Sequence, residues 1–512
     1  MSTRRLLAAL ASLGVAAALL ALLPLPAAAH ALGGVFTLPV PLGLYLTAAG
    51  AAVAASFVVA VVVVRPAHGF PAYPVRILQP IVAQRASRIL VVVGLVWWFG
   101  IILLGLVVDP ISPFPAALFW ILIWAGLPVG SVLIGNPWPS LSPFRTLFNG
   151  LERLAKLIGF DRLDAGMRYP EALGRWPVVA LLFAAEWCEL VLPNRTLPTT
   201  ISALLIGYTL LTLVGMALYG RIAWLRNAEL FEVYLGWLGR VAPIGRRVVE
   251  KETCSGCSEG CSPEHCVDCP ECAIAAEPGE RRVELRPYFT GLTEVGRAGW
   301  WDAAFIVLIL SGITFDGLSS TSPWATLINW LFNLLLPVIG ALNTVLVVQT
   351  IGLVGLWVVF LGAFTLAATL TRRLDGGRTT EPMGSVVGGY AATLLPIAAG
   401  YLIAHYLTYV VQGIVWLPGL IADPVTSTAP LLDWLPISGV WYLSVGAIVI
   451  GHIAAVVLAH RRALRDSTRP IIAGLPLVLL MVGYTVLSLW IIAQPITLEP
   501  GKSQPTALVL PR

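Results

Sequence analysis

The sequence predicts an all-α fold, a polytopic bundle of transmembrane helices with about ten mature spans, one re-entrant or interfacial segment and a small cysteine-rich cytoplasmic loop. Three observations predict it. The chain is 58% hydrophobic and 12% charged, where a soluble domain carries about 25% charged residues. Apolar runs of the roughly 20 residues a spanning helix needs recur along it. Lys and Arg are concentrated in alternate loops between those runs, the others holding Arg195 and little else until the C-terminal tail, as the positive-inside rule requires. The 48 glycines and 18 tryptophans suit close helix packing in lipid and aromatic anchoring at its two surfaces. A net charge of +5, gathered into a few loops, does not imply nucleic acid, and the lipid bilayer is the expected partner.

In chain order, Met1 to Arg5 form a basic start, Leu6 to Leu23 an apolar run and Ala27-Ala28-Ala29 a small-residue cleavage site, so residues 1–29 read as a signal peptide. Cleavage leaves His30 first and the mature N-terminus extracytoplasmic, in a multi-pass protein of the cell membrane. The expected spans are approximately 41–64, 89–108, 115–135, 176–193, 199–220, 299–315, 344–371, 384–411, 437–460 and 471–494. They divide into a first half (30–220), a cytoplasmic amphipathic and Cys-rich insertion (221–298) and a second half (299–494), followed by an extracytoplasmic tail (495–512). Pro323 to Leu342 is apolar but broken by Asn329, Asn333, Pro337 and Gly340. Counting it as a span would put Arg372 and Arg373 outside, so it reads as re-entrant or interfacial. Glu229 to Pro243 interleaves Glu229, Glu232 and Arg240 with Phe231, Tyr234 and Trp237, a pattern that predicts a helix lying flat on the inner leaflet.

Six of the seven cysteines, Cys254, Cys257, Cys261, Cys266, Cys269 and Cys272, fall in the insertion, with His265 among them, and form the expected metal-binding set. In a reducing cytoplasm disulfides are disfavoured. Two Cys-x2-Cys pairs can close a tetrahedral thiolate site, and Cys254, Cys257, Cys266 and Cys269 fit a structural zinc, with Cys261 and Cys272 spare. Cys266-x2-Cys269-x2-Cys272 also matches the first three positions of the bacterial ferredoxin run, so an iron–sulfur cluster is the alternative. The loop could also dock a cytoplasmic protein. Cys188, in an apolar helix, reads as a small hydrophobe.

Ionisable residues at membrane depth cost at least about 2.5 kcal/mol each on insertion scales, which makes them candidates for function. They are Glu186, Glu189, Asp302, His405 and His452. Glu189 and His405 are expected in the outer half of the bilayer near Asp109, Asp316 and His30, with Glu186 one turn deeper. Glu186, Glu189, His405 and Asp316 are therefore the candidate catalytic set, able to hold a proton or a second metal of undetermined kind. The bland reading pairs each with a polar neighbour that merely pins the packing. His452 and His460 are eight residues apart, about 12 Å along one helix, and cannot chelate one ion together.

Several stretches carry a resemblance: His30-Ala-Leu-Gly-Gly into Leu38-Pro-Val-Pro-Leu, Gly135-Asn-Pro-Trp-Pro through Phe144-Arg-Thr-Leu-Phe, Phe315-Asp-Gly-Leu into Pro323-Trp, Ala404-His-Tyr, and Gly451-His to Ala459-His460. Together they resemble a family of bacterial membrane proteins labelled fenitrothion hydrolase. That resemblance implies organophosphate ester hydrolysis, performed here by a metal-dependent site in which Glu186 or Glu189 serves as base. No Gly-x-Ser-x-Gly or His-Glu-x-x-His motif is present. The rival expectations are a secondary transporter using the same buried Glu and His, and a non-catalytic assembly protein.

Overall fold

The structure, a computed structural model, describes residues 29–31, 34–36, 42–64, 73–77, 80–160, 162–249, 251–255, 257, 265–277, 280–377 and 381–494. The expected signal segment through residue 28, the tail after residue 494 and Cys261 lie outside them, and of His30 only the backbone is described. The chain is an all-α polytopic bundle. A short hairpin of β1 (Ala29–Ala31) and β2 (Gly34–Phe36) precedes α1 (Leu42–Val63), and β3 (Arg76–Ile77) precedes α2 (Pro80–Val107). α3 (Phe114–Leu133) is π-helical from Ala117 to Ala125. Pro128 has no N–H to offer the Trp124 carbonyl, which accounts for a widened turn just before it.

α4 (Trp138–Leu141) and α5 (Pro143–Leu157) lead to α6 (Trp176–Leu190) and α7 (Pro198–Tyr219). The insertion then supplies α8 (Arg221–Asn227), α9 (Leu230–Gly239), β4 (Ile244–Val248), α10 (Lys251–Ser255), β5 (Cys266–Val267), α11 (Pro270–Ala275) and β6 (Arg281–Leu285). The second half comprises α12 (Trp300–Ser319), α13 (Ser322–Ile339), α14 (Ala341–Arg373), α15 (Met383–Ala422), α16 (Ile437–Asp466) and α17 (Pro470–Ala493).

Among the described residues, ten helices are long and apolar enough to cross a membrane; that set includes α13 and omits α6, which has 15 residues. Contacts between helices give the direction of each. α2 and α7 run antiparallel, because Trp98 donates to Thr209 at 3.0 Å and Ser202 donates to the Ile102 carbonyl at 2.9 Å. α6 and α12 run parallel, with Arg175 bonded to Asp302 at one end and Glu186 packed on Gly312 further along. α14 opposes both, since Trp187 donates to Thr350 at 2.8 Å and Trp357 to the Ala304 carbonyl at 3.1 Å. α6 therefore runs alongside the candidate spans α12 and α14, and residues 191–197 lead on to α7. In α13, Trp324 seats on Gly352 and Phe315, so this helix lies against the first turns of α14.

The expectation for Glu229 to Pro243 is overturned. α9 is not a surface helix: Leu230, Phe231, Glu232, Val233, Tyr234, Leu235, Trp237, Leu238 and Gly239 are all buried. Trp224 of α8 packs against Gly215, so α8 folds back along α7, and at the turn Glu229 meets Tyr208, halfway along α7. α8 and α9 thus form a broken re-entrant pair. The polar face that resembled a water-facing one has internal partners. Glu229 accepts from Tyr208 at 2.6 Å, Trp138 at 2.9 Å and the amides of Phe231 and Glu232, while Glu232 pairs with Arg145 at 2.8 Å.

The insertion is also more ordered than its composition suggests. It builds a four-stranded sheet in the order β3-β6-β4-β5, which recruits β3 from the loop between α1 and α2. Arg247, Glu284 and Arg286 are buried beneath it. Arg247 pairs with Glu284, and Arg286 pairs with Glu284 at 3.1 Å and Asp268 at 2.6 Å.

Candidate functional site

Two polar constellations stand out, one among the helices and one in the insertion. In the first, Trp124, on the π-helical stretch of α3, donates its indole N–H to Glu189 Oε2 at 2.6 Å. The other oxygen of Glu189 lies 3.2 Å from the Tyr406 hydroxyl, which is also 3.1 Å from Asp316 Oδ2. Asp316 Oδ2 is in turn 2.7 Å from His405 Nε2. A phenol has one proton. While Tyr406 donates it to one carboxylate, its contact with the other is favourable only if that carboxyl is protonated and donates in return. The geometry thus describes two acids bridged by one hydroxyl, with a histidine on the second.

Glu186 is one turn before Glu189 on α6 and is buried, and its Oε2 has no hydrogen-bond partner among the described residues. A Cβ at position 312 would stand 2.4 Å from the Glu186 carboxyl carbon, so only glycine on α12 leaves room for this side chain. Tyr234 of α9 packs 6.1 Å from Trp124, ring centre to ring centre, which brings the re-entrant pair against the same site.

Glu189, Asp316 and His405 are therefore brought together, with Glu186 beside them. The other intramembrane candidates are not. Asp302 caps the first turn of α12, accepting from the Gly299 amide at 2.8 Å and binding Arg175 at 2.7 Å, so it pins α6 to α12. His452 is fully buried and holds the Ile448 carbonyl of its own helix at 2.8 Å, and His460 packs edge-on to Phe57. Asp109 closes a loop through the Ile111 amide. Residue reading missed Trp124, Tyr406 and Tyr234; the adjacency of Tyr406 to His405 was the available signal.

In the insertion, the Sγ atoms of Cys257, Cys266, Cys269 and Cys272 lie within 4.8 Å of one another and could hold a metal ion. Cys257 and Cys269 are 3.6 Å apart, Cys266 and Cys272 2.9 Å. This corrects the expected set: Cys272 takes the place assigned to Cys254. Cys269 caps α11 and Cys272 sits in its first turn, and a spacing of three brings both sulfurs to one side. Cys254, at the end of α10, is buried against β4 with its sulfur 3.7 Å from the Val248 carbonyl. His265 binds Glu294 at 3.2 Å.

Comparisons with protein-family models, with curated proteins and with solved structures find no match, so the functional reading rests on the residues themselves.

Proposed function

We propose that the chain is a membrane transport protein in which Glu186, Glu189, Asp316 and His405 bind and pass a proton. The observation that carries this reading is the Tyr406 hydroxyl held between Glu189 and Asp316, with His405 on the far side of Asp316. A proton taken up by the His405–Asp316 pair can move to Glu189 when the Tyr406 O–H turns from one carboxylate to the other. Glu186, about 5 Å further along the helix, continues the series. Carboxylates inside a bundle and a broken helix pair beside them are the parts from which proton-coupled carriers are built. The arginine-rich loops support placing the cysteine side in the cytoplasm.

The hydrolase reading has its own support in the His405–Asp316 dyad, whose side chains are 31% and 24% exposed, a pair able to act as general base on water. Its metal-dependent form is less well supported. Among the described residues, the acid cluster does not gather three ligand atoms within 4.8 Å, as the cysteines do.

Proteoliposomes given a pH jump separate the two. A transient charge displacement is expected in the native protein, lost in Glu189→Gln and Asp316→Asn and kept in Cys272→Ser. Unchanged displacement in Glu189→Gln overturns the relay, and turnover of a nitrophenyl phosphotriester that His405→Ala abolishes points to the hydrolase instead.

We also propose that the cysteine quartet binds structural zinc. Zn–S bonds of about 2.3 Å give a tetrahedron with sulfur–sulfur edges of about 3.8 Å, a size compatible with this quartet, whereas a cluster with bridging sulfides spreads its thiolates wider. One zinc per chain is expected by elemental analysis, lost in Cys272→Ser and kept in Cys254→Ser. Iron–sulfur absorption in anaerobically prepared protein contradicts it.

A further inference from the structure

A cavity of about 820 Å³ opens on the cysteine side, where α6 and α12 begin and α7 ends. Two of these helices, α7 and α12, are long and apolar enough to span, and their ends are where lipid headgroups would lie. Its aromatic wall is built in. The Trp301 ring lies on Gly174, whose φ is +45° and where a Cβ would stand 2.7 Å from the ring. Tyr169 donates to the Gly174 carbonyl at 2.9 Å and packs edge-on to Tyr219 at 5.5 Å.

Both signs of charge line the cavity: Arg175, Arg221, Arg226 and Arg297 with Glu152, Asp164 and Glu171. Most are already committed. Arg175 binds Asp302, Arg226 binds Glu271 at 2.9 Å, Arg221 reaches Asn149 and Glu152, and Asp164 holds Arg162 at 2.7 Å. Arg297 and Glu171 are exposed, and their side chains make no hydrogen bond or ion pair among the described residues. One spare cation, one spare anion and an aromatic wall match a ligand that is itself zwitterionic. A guanidinium takes an anionic oxygen group, while a carboxylate and tyrosine or tryptophan faces take an ammonium.

We propose that this cavity binds a phosphate–ammonium zwitterion, the chemistry of an ethanolamine phospholipid headgroup and of free phosphoethanolamine. Its position at the ends of two candidate spans favours the lipid. Glu271, which holds Arg226, belongs to α11 beside Cys272, so the occupied cavity would abut the thiolate quartet.

The test is native mass spectrometry of the full chain released from nanodiscs of equal phosphatidylethanolamine and phosphatidylglycerol content, with calorimetric titration of phosphoethanolamine as the soluble arm. The native protein should retain phosphatidylethanolamine over phosphatidylglycerol by about fivefold or more. Arg297→Gln should lower retention of both lipids, and Glu171→Gln should remove the preference between them. Arg153→Gln, an exposed arginine outside the cavity, should change neither. Titration heat without lipid retention assigns the site to the soluble zwitterion. Equal retention of both lipids by the native protein, or a preference that survives Glu171→Gln in monodisperse protein, overturns the proposal, as does absence of both retention and heat.

Discussion

Charge is buried in two places, and the two are composed differently. Beneath the sheet of the insertion, Arg247, Arg286 and His265 face Glu284, Asp268 and Glu294, three basic side chains for three acidic ones, with Tyr73 donating to Glu284 as well. Among the helices, Glu186, Glu189 and Asp316 face the single His405, with Arg195 acting on Asp316 only through Coulomb attraction. A balanced network has little to gain from taking up or releasing a proton, and its value lies in holding pieces together. An acid-rich one is relieved by taking up a proton, because like charges in a poorly screened interior repel. On the function proposed above, the difference separates a structural use of burial from a functional one.

The largest expected effect breaks the balanced side. Arg286→Met leaves Glu284 and Asp268 without their shared partner and should cost about 3–5 kcal/mol, read as a lowered unfolding midpoint and release of the metal proposed at the cysteine quartet. If Arg286→Met is as stable as the native protein, the network is not the clamp described above.

A smaller effect sharpens the acid-rich side. Gly312→Ala puts a methyl group against the Glu186 carboxyl and should destabilise by about 1–3 kcal/mol. Combining it with Glu186→Ala should recover most of that loss, because the clash partner is gone. No recovery in the double variant would mean that Glu186 and Gly312 do not share this space.

Much of the bundle was legible in the sequence because its causes are local. Twenty-residue apolar runs and alternating arginine loops report directly on bilayer thickness and charge placement. Glu189 and His405 were legible for a related reason: a charged group is costly in lipid wherever it points, while Asp316 was read only as a loop residue close to them. What escaped depends on contacts distant in sequence. Trp124 and Tyr406 look like ordinary aromatic residues of apolar helices until Glu189 and Asp316 lie beside them. The re-entrant pair escaped because Glu229 and Glu232 have the spacing of a solvent-facing side, and only Tyr208, Trp138 and Arg145 reveal that they face inward. Cys254 and Cys272 each lie three residues from another cysteine of the quartet, so spacing alone does not choose between them; the first turn of α11 does.

Infrared difference spectroscopy of the reconstituted protein across a pH titration tests the central claim, that the acid-rich cluster holds a transferable proton, most directly. The native protein should show a protonated-carboxyl C=O band that appears as pH falls and shifts in Tyr406→Phe, where the bridging hydroxyl is removed. The band should vanish in Glu189→Gln and persist in Glu152→Gln, a carboxylate on the cysteine side. A band unaffected by Glu189→Gln and Tyr406→Phe, or a carboxyl region that does not change with pH, would contradict it.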